Sequence, residues 1–226
     1  MEVEQSDRII GIIVDSFFPL LKAGILFTIP LTLVSFIIGL ILAFFTAIAR
    51  LSTNKLLYGI SSFYVWVIRG TPLLVQLFII FYGLPKLGVT IDPFPAAIIG
   101  FSLSVGAYNS EVIRAAIQSV PKGQWEAAYT IGMTKNQARR RIILPQALRV
   151  AIPPLGNSFI SLVKDTSLAA TITVTEMFQI SQQITAMTYE PLVLYCEVAV
   201  IYLFFSTILS ALQSRVEHRL ERRMAR

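Results

Sequence analysis

The chain has 226 residues, of which 55% are hydrophobic and 14% charged, with a mean hydropathy of +0.69. Soluble domains carry roughly a quarter charged residues, so this composition excludes one and requires helices packed against each other in lipid. A lone cysteine, Cys196, allows no internal disulfide, and one histidine, His218, without any CxxC pair leaves neither a metal site nor a Cys-His nucleophile to consider.

Residues 1–18 read as an extracytoplasmic, interfacial segment, because Ile9, Ile10, Ile12 and Ile13 favour one side of a short helix lying outside the bundle. No small-residue cleavage site follows a short apolar core, so no removable signal is expected. Residues 19–213 form the expected membrane domain. Its first span covers about 19–48, where Gly24, Gly39 and Ala43 allow close helix approach and Arg50 and Lys55 close one end. The second span, 56–84, has a fault at Arg69-Gly70-Thr71-Pro72. Gly70 can end a helix, Thr71 can cap a new one, and Pro72 suits its first turn. An arginine at mid-depth costs about 2.5 to 3.5 kcal/mol on insertion scales, so Arg69 must face a partner or a wet cavity. A broken helix with free N–H groups beside a guanidinium is a site for a carboxylate; the alternative is a structural pair between Arg69 and an acid on a neighbouring helix. Gly88, Asp92, Pro93 and Pro95 mark a turn, and a third span follows over 95–119, with Glu111 and Arg114 spaced i, i+3 for pairing.

The polar, basic stretch 123–146 interrupts this apolar pattern. Trp125, Ala128, Tyr129, Gly132 and Met133 fall at i, i+3, i+4, i+7 and i+8, one face of a short helix, with Gln124, Glu126 and Thr130 opposite. Thr134 followed by Gln137 fits a capping box opening a second helix, Arg139 to Arg141 crowd its surface, and Pro145 interrupts it. Periodicity alone is also met by a solvated, positive hairpin at a membrane surface. Glu126-Ala127-Ala128, then Gly132, then Ile143-Leu144-Pro145 resemble the EAA signature of the membrane subunits of binding-protein-dependent ABC importers. That resemblance implies a type I ABC importer permease fold, all-α and integral to the membrane, with five transmembrane helices and this segment as a cytoplasmic coupling helix. It places Trp125, Glu126, Ala127, Ala128 and Gly132 at the contact with an ATPase subunit, where a small-residue face permits close approach, Trp125 and Met133 offer bulk, and Glu126 can meet a basic group. Upstream, AYNSEVIRAAIQSVPKGQWEAA extends the resemblance to the polar amino acid branch of these permeases.

A fourth span covers about 148–172, opened by Pro153-Pro154. Ser158, Ser161 and Asp165 fall at i, i+3 and i+7, a polar stripe that is either a pathway face or a helix contact; Asp165 beside Lys164 favours the lined cavity. Here NSFISLVKDTSLAATI resembles the L-cystine permeases of that branch. In similar arginine-type permeases the bound amino acid contacts the arginine of the RGTP break, the residue after GN and the aspartate of the KD pair, which implies roles for Arg69, Ser158 and Asp165. The residue after GN is acidic in those proteins, so the neutral Ser158 argues against a purely cationic solute. The implied arrangement has Arg69, Gly70 and Thr71 holding an α-carboxylate, while Asp165, with Asn157, Ser158 and Ser161, meets the ammonium or the rest of the solute.

Residues 172–189, with Glu176, Gln179, Gln182 and Gln183, are too polar to span and read as a short gate helix on the outer face. The fifth span is 191–212, where Glu197 is expected to make a structural hydrogen bond, and 214–226 is a basic cytoplasmic tail. Fourteen of the nineteen Lys and Arg fall on one side of this arrangement, which sets the amino terminus outside and the carboxyl terminus inside a bacterial inner membrane. The +6 charge is thereby a topology signal and no sign of nucleic acid binding. No GxxxxGK[ST] occurs, so the chain is not expected to be an enzyme or to hold a cofactor; ATP and Mg belong on a partner ATPase dimer. Five helices are few to enclose a polar path, which favours pairing with an identical or related permease chain, fed by an extracytoplasmic amino-acid-binding protein. The alternative function is an ion-coupled secondary carrier with Asp165 and Glu197 as proton sites, although no two-fold repeat is visible in the sequence. An intramembrane hydrolase would need an activated nucleophile, and neither GxSxG nor a second deep aspartate is present.

Overall fold

The computed structural model describes residues 2–224, and every regular element in them is helical. Helices α1 (Glu2–Ala23) and α2 (Ile29–Arg50) join through a π turn, Gly24–Thr28, and the helical stretch Glu4–Arg50 runs for 47 residues. The amino-terminal segment is thus helical and runs on into the first span. The helix persists because its apolar face is used: Leu20 and Ala23 are buried with Met177, Val198 and Ile201. Helix α3 (Lys55–Gly70) stops at the expected break, and α4 (Leu73–Phe78) starts after Pro72, continuing through a π turn and a 3-10 turn to Leu87. Helix α5 (Pro93–Gln118) is unbroken, and α6 (Lys122–Thr130) and α7 (Lys135–Ala138) form the hairpin. Helix α8 (Leu144–Asp165) then passes through a 3-10 turn, Thr166–Ile172, towards α9 (Met177–Thr188), and α10 (Pro191–Met224) carries the basic tail as its own continuation.

Among the described residues, Glu4–Arg50, Pro93–Gln118 and Pro191–Arg219 are long and apolar enough to cross a membrane, and the interrupted pair Lys55–Gly70 and Leu73–Leu87 adds a fourth if counted as one span. Helix α8 has 22 residues, a length of about 33 Å at 1.5 Å per residue, and its polar positions keep its hydropathy lower. It begins earlier and ends earlier than expected, with Pro153 and Pro154 inside it. The helix opened at Thr134 is interrupted ahead of Pro145 by a π turn and not broken. That proline lies directly after the π turn Arg139–Ile143, in which Leu144 N–H reaches back to the Arg139 carbonyl, and the widened turn accommodates its missing N–H.

The chain divides into two compact units. The first takes in residues through Phe36, Leu73–Phe101 and Phe159–Ser210. Its core is the cluster around Leu20 and Met177, with Phe178, Tyr202 and Phe205 packed against it. Gly24 is needed there, because a Cβ at that position would lie 2.7 Å from the Phe205 ring.

The second unit comprises Ile37–Pro72, Ser102–Ser158 and the chain from Ala211 onward. Ala116, Ile117 and Val120 of α5 pack with Ile143, Ala147 and Ala151, with Ile48, Leu51 and Trp125 around them. Tyr64 Oη donates to the Leu103 carbonyl at 2.6 Å, and Glu111 accepts from Arg114 in two-pronged fashion, 2.6 Å from Nη2 and 3.1 Å from Nε. Arg50, at the end of α2, pairs with the same carboxylate. Large apolar side chains such as Phe45, Phe63 and Trp66 are exposed, as they must be where hydrocarbon takes the place of water. A Cβ on Gly39 would lie 2.5 Å from Val105 Cβ, a stiff neighbour that cannot swing away. Gly39→Ala should therefore lower the unfolding midpoint of the detergent-purified protein, by an overpacking cost of about 1 to 3 kcal/mol. Gly59→Ala, where nothing lies within 4 Å, serves as the control and should leave the midpoint unchanged or slightly raised.

Candidate functional site

The hairpin is built by two local devices. Helix α6 ends in a Schellman pair: Met133 N–H donates to the Ala128 carbonyl at 3.0 Å and Gly132 N–H to the Tyr129 carbonyl at 2.9 Å. Gly132 takes φ +81, the left-handed conformation that glycine alone adopts freely. Two residues on, Thr134 and Gln137 form the full capping box, with Gln137 N–H on Thr134 Oγ1 at 3.3 Å and Thr134 N–H on Gln137 Oε1 at 2.9 Å. Gln146 Nε2 donates to Gln124 Oε1 at 3.1 Å, tying the start of α6 to the first turn of α8.

The residues of the hairpin stripe divide between the chain's own core and its surface. Ala128 is 3% exposed, and Trp125 packs against the Ile143 cluster of its own chain, its ring 6.2 Å from that of Tyr129, which is itself exposed. The chain's own α5 and α8 supply the apolar partner of Trp125. Glu126, Ala127, Tyr129, Ile131 and Gly132 are exposed. Among the described residues the Glu126 carboxylate makes no ion pair, while Lys122, Lys135, Arg140 and Arg141 surround it in sequence with exposed cations. The surface thus offers small and apolar atoms, one free carboxylate and a cationic border, a composition suited to a protein partner.

The polar positions of the spans fall into the two units separately. In the second unit, α3 closes at Gly70, Thr71 is extended, and its hydroxyl donates back to the Val67 carbonyl at 2.9 Å. Arg69 is exposed, with its guanidinium 5.2 Å from the centre of the Tyr108 ring. An aromatic face therefore holds the cation, and among the described residues no acid pairs with it. Asn157 is drawn into a contact that the sequence did not reveal: its Oδ1 accepts from Gln213 Nε2 at 3.1 Å, and the same amide donates to the Pro153 carbonyl. Gly156 leaves room for it, since a Cβ there would lie 2.6 Å from Gln213 Cδ. Ser158 is half-buried.

In the first unit, Ser161 and Asp165 lie one turn apart on α8 and both are exposed. Asp165 is the last residue of that helix, and the chain after it, from Thr166, turns back into the core. Glu197 accepts from the Ser16 hydroxyl at 2.5 Å, a hydrogen bond within the protein as anticipated. Glu176, read from sequence as one polar residue of a surface segment, is instead fully buried.

Residues 35–222 match the family described as binding-protein-dependent transport system inner membrane component. The chain is 58% identical over 212 residues to the L-cystine transport system permease protein TcyB of Bacillus subtilis (strain 168), covering 93% of this chain and 91% of that one. It is 39% identical over 213 residues to the nopaline transport system permease protein NocM of Agrobacterium fabrum (strain C58), covering 90% and 88%. It also superposes with a TM-score of 0.86, at 36% sequence identity, on the crystal structure of an amino acid ABC transporter with histidines, covering 91% of this chain and 96% of that one. No observation favours the ion-coupled carrier. The chain therefore belongs to the binding-protein-dependent transport system inner membrane components, as a permease subunit of an ABC importer whose ATPase and substrate-binding protein are separate subunits.

Proposed function

We propose that the chain, paired with an identical or closely related permease, forms the path by which an ATP-driven importer takes up a polar amino acid, with L-cystine as the preferred solute. The observation that carries this is the 58% identity, over 93% of the chain, to a permease named for L-cystine transport. In this reading the amino terminus faces outside, while the hairpin and carboxyl terminus face the cytoplasm, the side that holds fourteen of the nineteen Lys and Arg. ATP and Mg bind the ATPase dimer, and its closure moves the hairpins and biases the permease pair between two openings. Arg69, with the Gly70–Thr71 turn, meets an α-carboxylate. Asp165, with Asn157, Ser158 and Ser161, meets an ammonium group or the remaining polar atoms. One arginine, one aspartate and a neutral Ser158 suit a zwitterion such as cystine better than a cation.

The test is co-purification with the accompanying chains, followed by reconstitution in vesicles with the binding protein. Labelled L-cystine should accumulate only with ATP on the side of the membrane that carries the ATPase, and should continue to do so after ionophores collapse the proton and sodium gradients. Uptake that stops when the gradients collapse, with ATP still present, overturns the reading.

A further inference from the structure

Cystine is two amino acid ends joined by a disulfide, so it carries two α-carboxylates and two α-ammonium groups. Arg69 accounts for one carboxylate, and the second needs a cation of its own once it leaves water. Five of the nineteen Lys and Arg lie apart from the basic majority: Arg8, Lys22, Arg69, Lys86 and Lys164. Arg8 is engaged with the Thr188 carbonyl at 2.9 Å and with Glu190 at 3.6 Å. Lys22 ends α1, and Lys86 stands in the turn before Gly88. Lys164 is the one beside a proposed solute contact, exposed in the last turn of α8 and one residue before Asp165.

Lys164 stands at a cavity of about 480 Å³ within the first unit, inside the range of about 300 to 1,000 Å³ found for small-molecule sites. Phe178 of α9 and Tyr195 and Tyr202 of α10 make its aromatic wall, the first two rings lying 5.7 Å apart, and the Tyr202 hydroxyl donates away from it to Glu176 at 2.7 Å. Ser206 lines it too, and its hydroxyl is buried with no hydrogen-bond partner among the described residues. No carboxylate lines the cavity, and Lys164 makes no ion pair among the described residues. A cation in the last turn of a helix also favours that helix's own carbonyls. That role explains a positive charge, but it does not call for a cavity with an aromatic wall, an unpaired hydroxyl and no acid. Sulfur packs favourably against aromatic rings, so the wall suits the middle of a disulfide-linked solute, and the ammonium suits one of its ends.

Resting on the reading of the chain as a path for L-cystine, we propose that Lys164 and its cavity are a second solute subsite, in which the ammonium pairs with the α-carboxylate that Arg69 does not hold and the aromatic wall receives the disulfide. Lys164 and Asp165, neighbours of opposite charge, then match the carboxylate and the ammonium of one and the same amino acid end. A solute with a single carboxylate gains nothing from Lys164.

The test is direct binding of two labelled solutes to the purified permease–ATPase complex without the binding protein, so that the permease alone selects. One solute is L-cystine; the other is its mono-amide, in which a neutral carboxamide replaces one carboxylate. The parental complex should bind L-cystine at least tenfold more tightly than the mono-amide. Lys164→Gln should weaken L-cystine at least tenfold and leave the mono-amide within twofold, so that the preference disappears. Lys164→Arg keeps the charge and should retain most of that preference. If Lys164→Gln does not assemble, Lys164→Met gives the same decision. An unchanged affinity for L-cystine in the neutral variant overturns the subsite, and so does an equal loss of both solutes, which makes Lys164 a structural cation. A parental complex that binds neither solute overturns the reading of the cystine path beneath it.

Discussion

Gly132→Val should reduce ATP-driven uptake at least tenfold in reconstituted complexes, while the chain still inserts and purifies. Space is not the difficulty, since a Cβ at Gly132 would meet nothing within 4 Å. The difficulty is φ +81, where a β-branched residue is a genuine outlier and an L-residue costs roughly 1 to 2 kcal/mol. Valine will shift the torsion and unseat the two hydrogen bonds that end α6, so α7 and its exposed surface change direction relative to Trp125 and its buried cluster. The series should be graded, with asparagine tolerated best because it adopts the left-handed region more readily, then alanine, then valine. Glu126→Gln tests the other half of the idea, removing an exposed charge without touching the fold. The measurement is the ratio of solute moved to ATP hydrolysed. Valine variants that transport with the parental ratio would remove the hairpin from the coupling step.

For Arg69→Ala the expected result is a KM for amino acid uptake raised tenfold or more. A hydrogen bond to a charged group is worth about 1.5 to 3 kcal/mol, and about 1.4 kcal/mol is a factor of ten. Arg69→Lys should recover only part of the loss, because an ammonium keeps the charge but not the planar fork that matches a carboxylate. The Tyr108 ring underneath separates positioning from contact. Tyr108→Phe keeps an aromatic face below the guanidinium and should leave KM near the parental value, whereas Tyr108→Ala frees the cation and should fall between the parent and Arg69→Ala. An unchanged KM in Arg69→Ala would make the guanidinium a structural group resting on its ring.

Features legible in the sequence were those decided within a few residues. Gly70 and Pro72 mark the break in the second span, Thr134 and Gln137 mark the capping box, and Glu111 with Arg114 marks an i, i+3 pair; all three appear where local chemistry puts them. Partnerships across long separations were not legible. Gln213 holding Asn157, Arg50 joining Glu111, and Tyr202 reaching Glu176 depend on which helices are neighbours. In a soluble protein, polarity marks the outward face of a helix. In lipid that cue reverses, so Glu176 looked like a surface residue and is a core one. The periodic stripe on α6 was visible, but not which of its residues are buried, because the cluster that receives Trp125 is built by the flanking helices α5 and α8. The packing of the amino-terminal helix was not legible for the same reason, its partner α9 lying more than 150 residues away.

The widened turn at Arg139–Ile143 sets the angular phase between the hairpin and α8. A helix advances about 100° per residue, and a π turn amounts to one residue inserted into an α-helical count. Losing or gaining a single amino acid there would leave composition, charge and every motif recognisable, yet would spin α7 and everything before it by more than a quarter of a revolution about the axis of α8. Spacing between Gly132 and Pro145 is therefore a specification in its own right, and relatives that exchange side chains freely in this interval should still preserve its residue number.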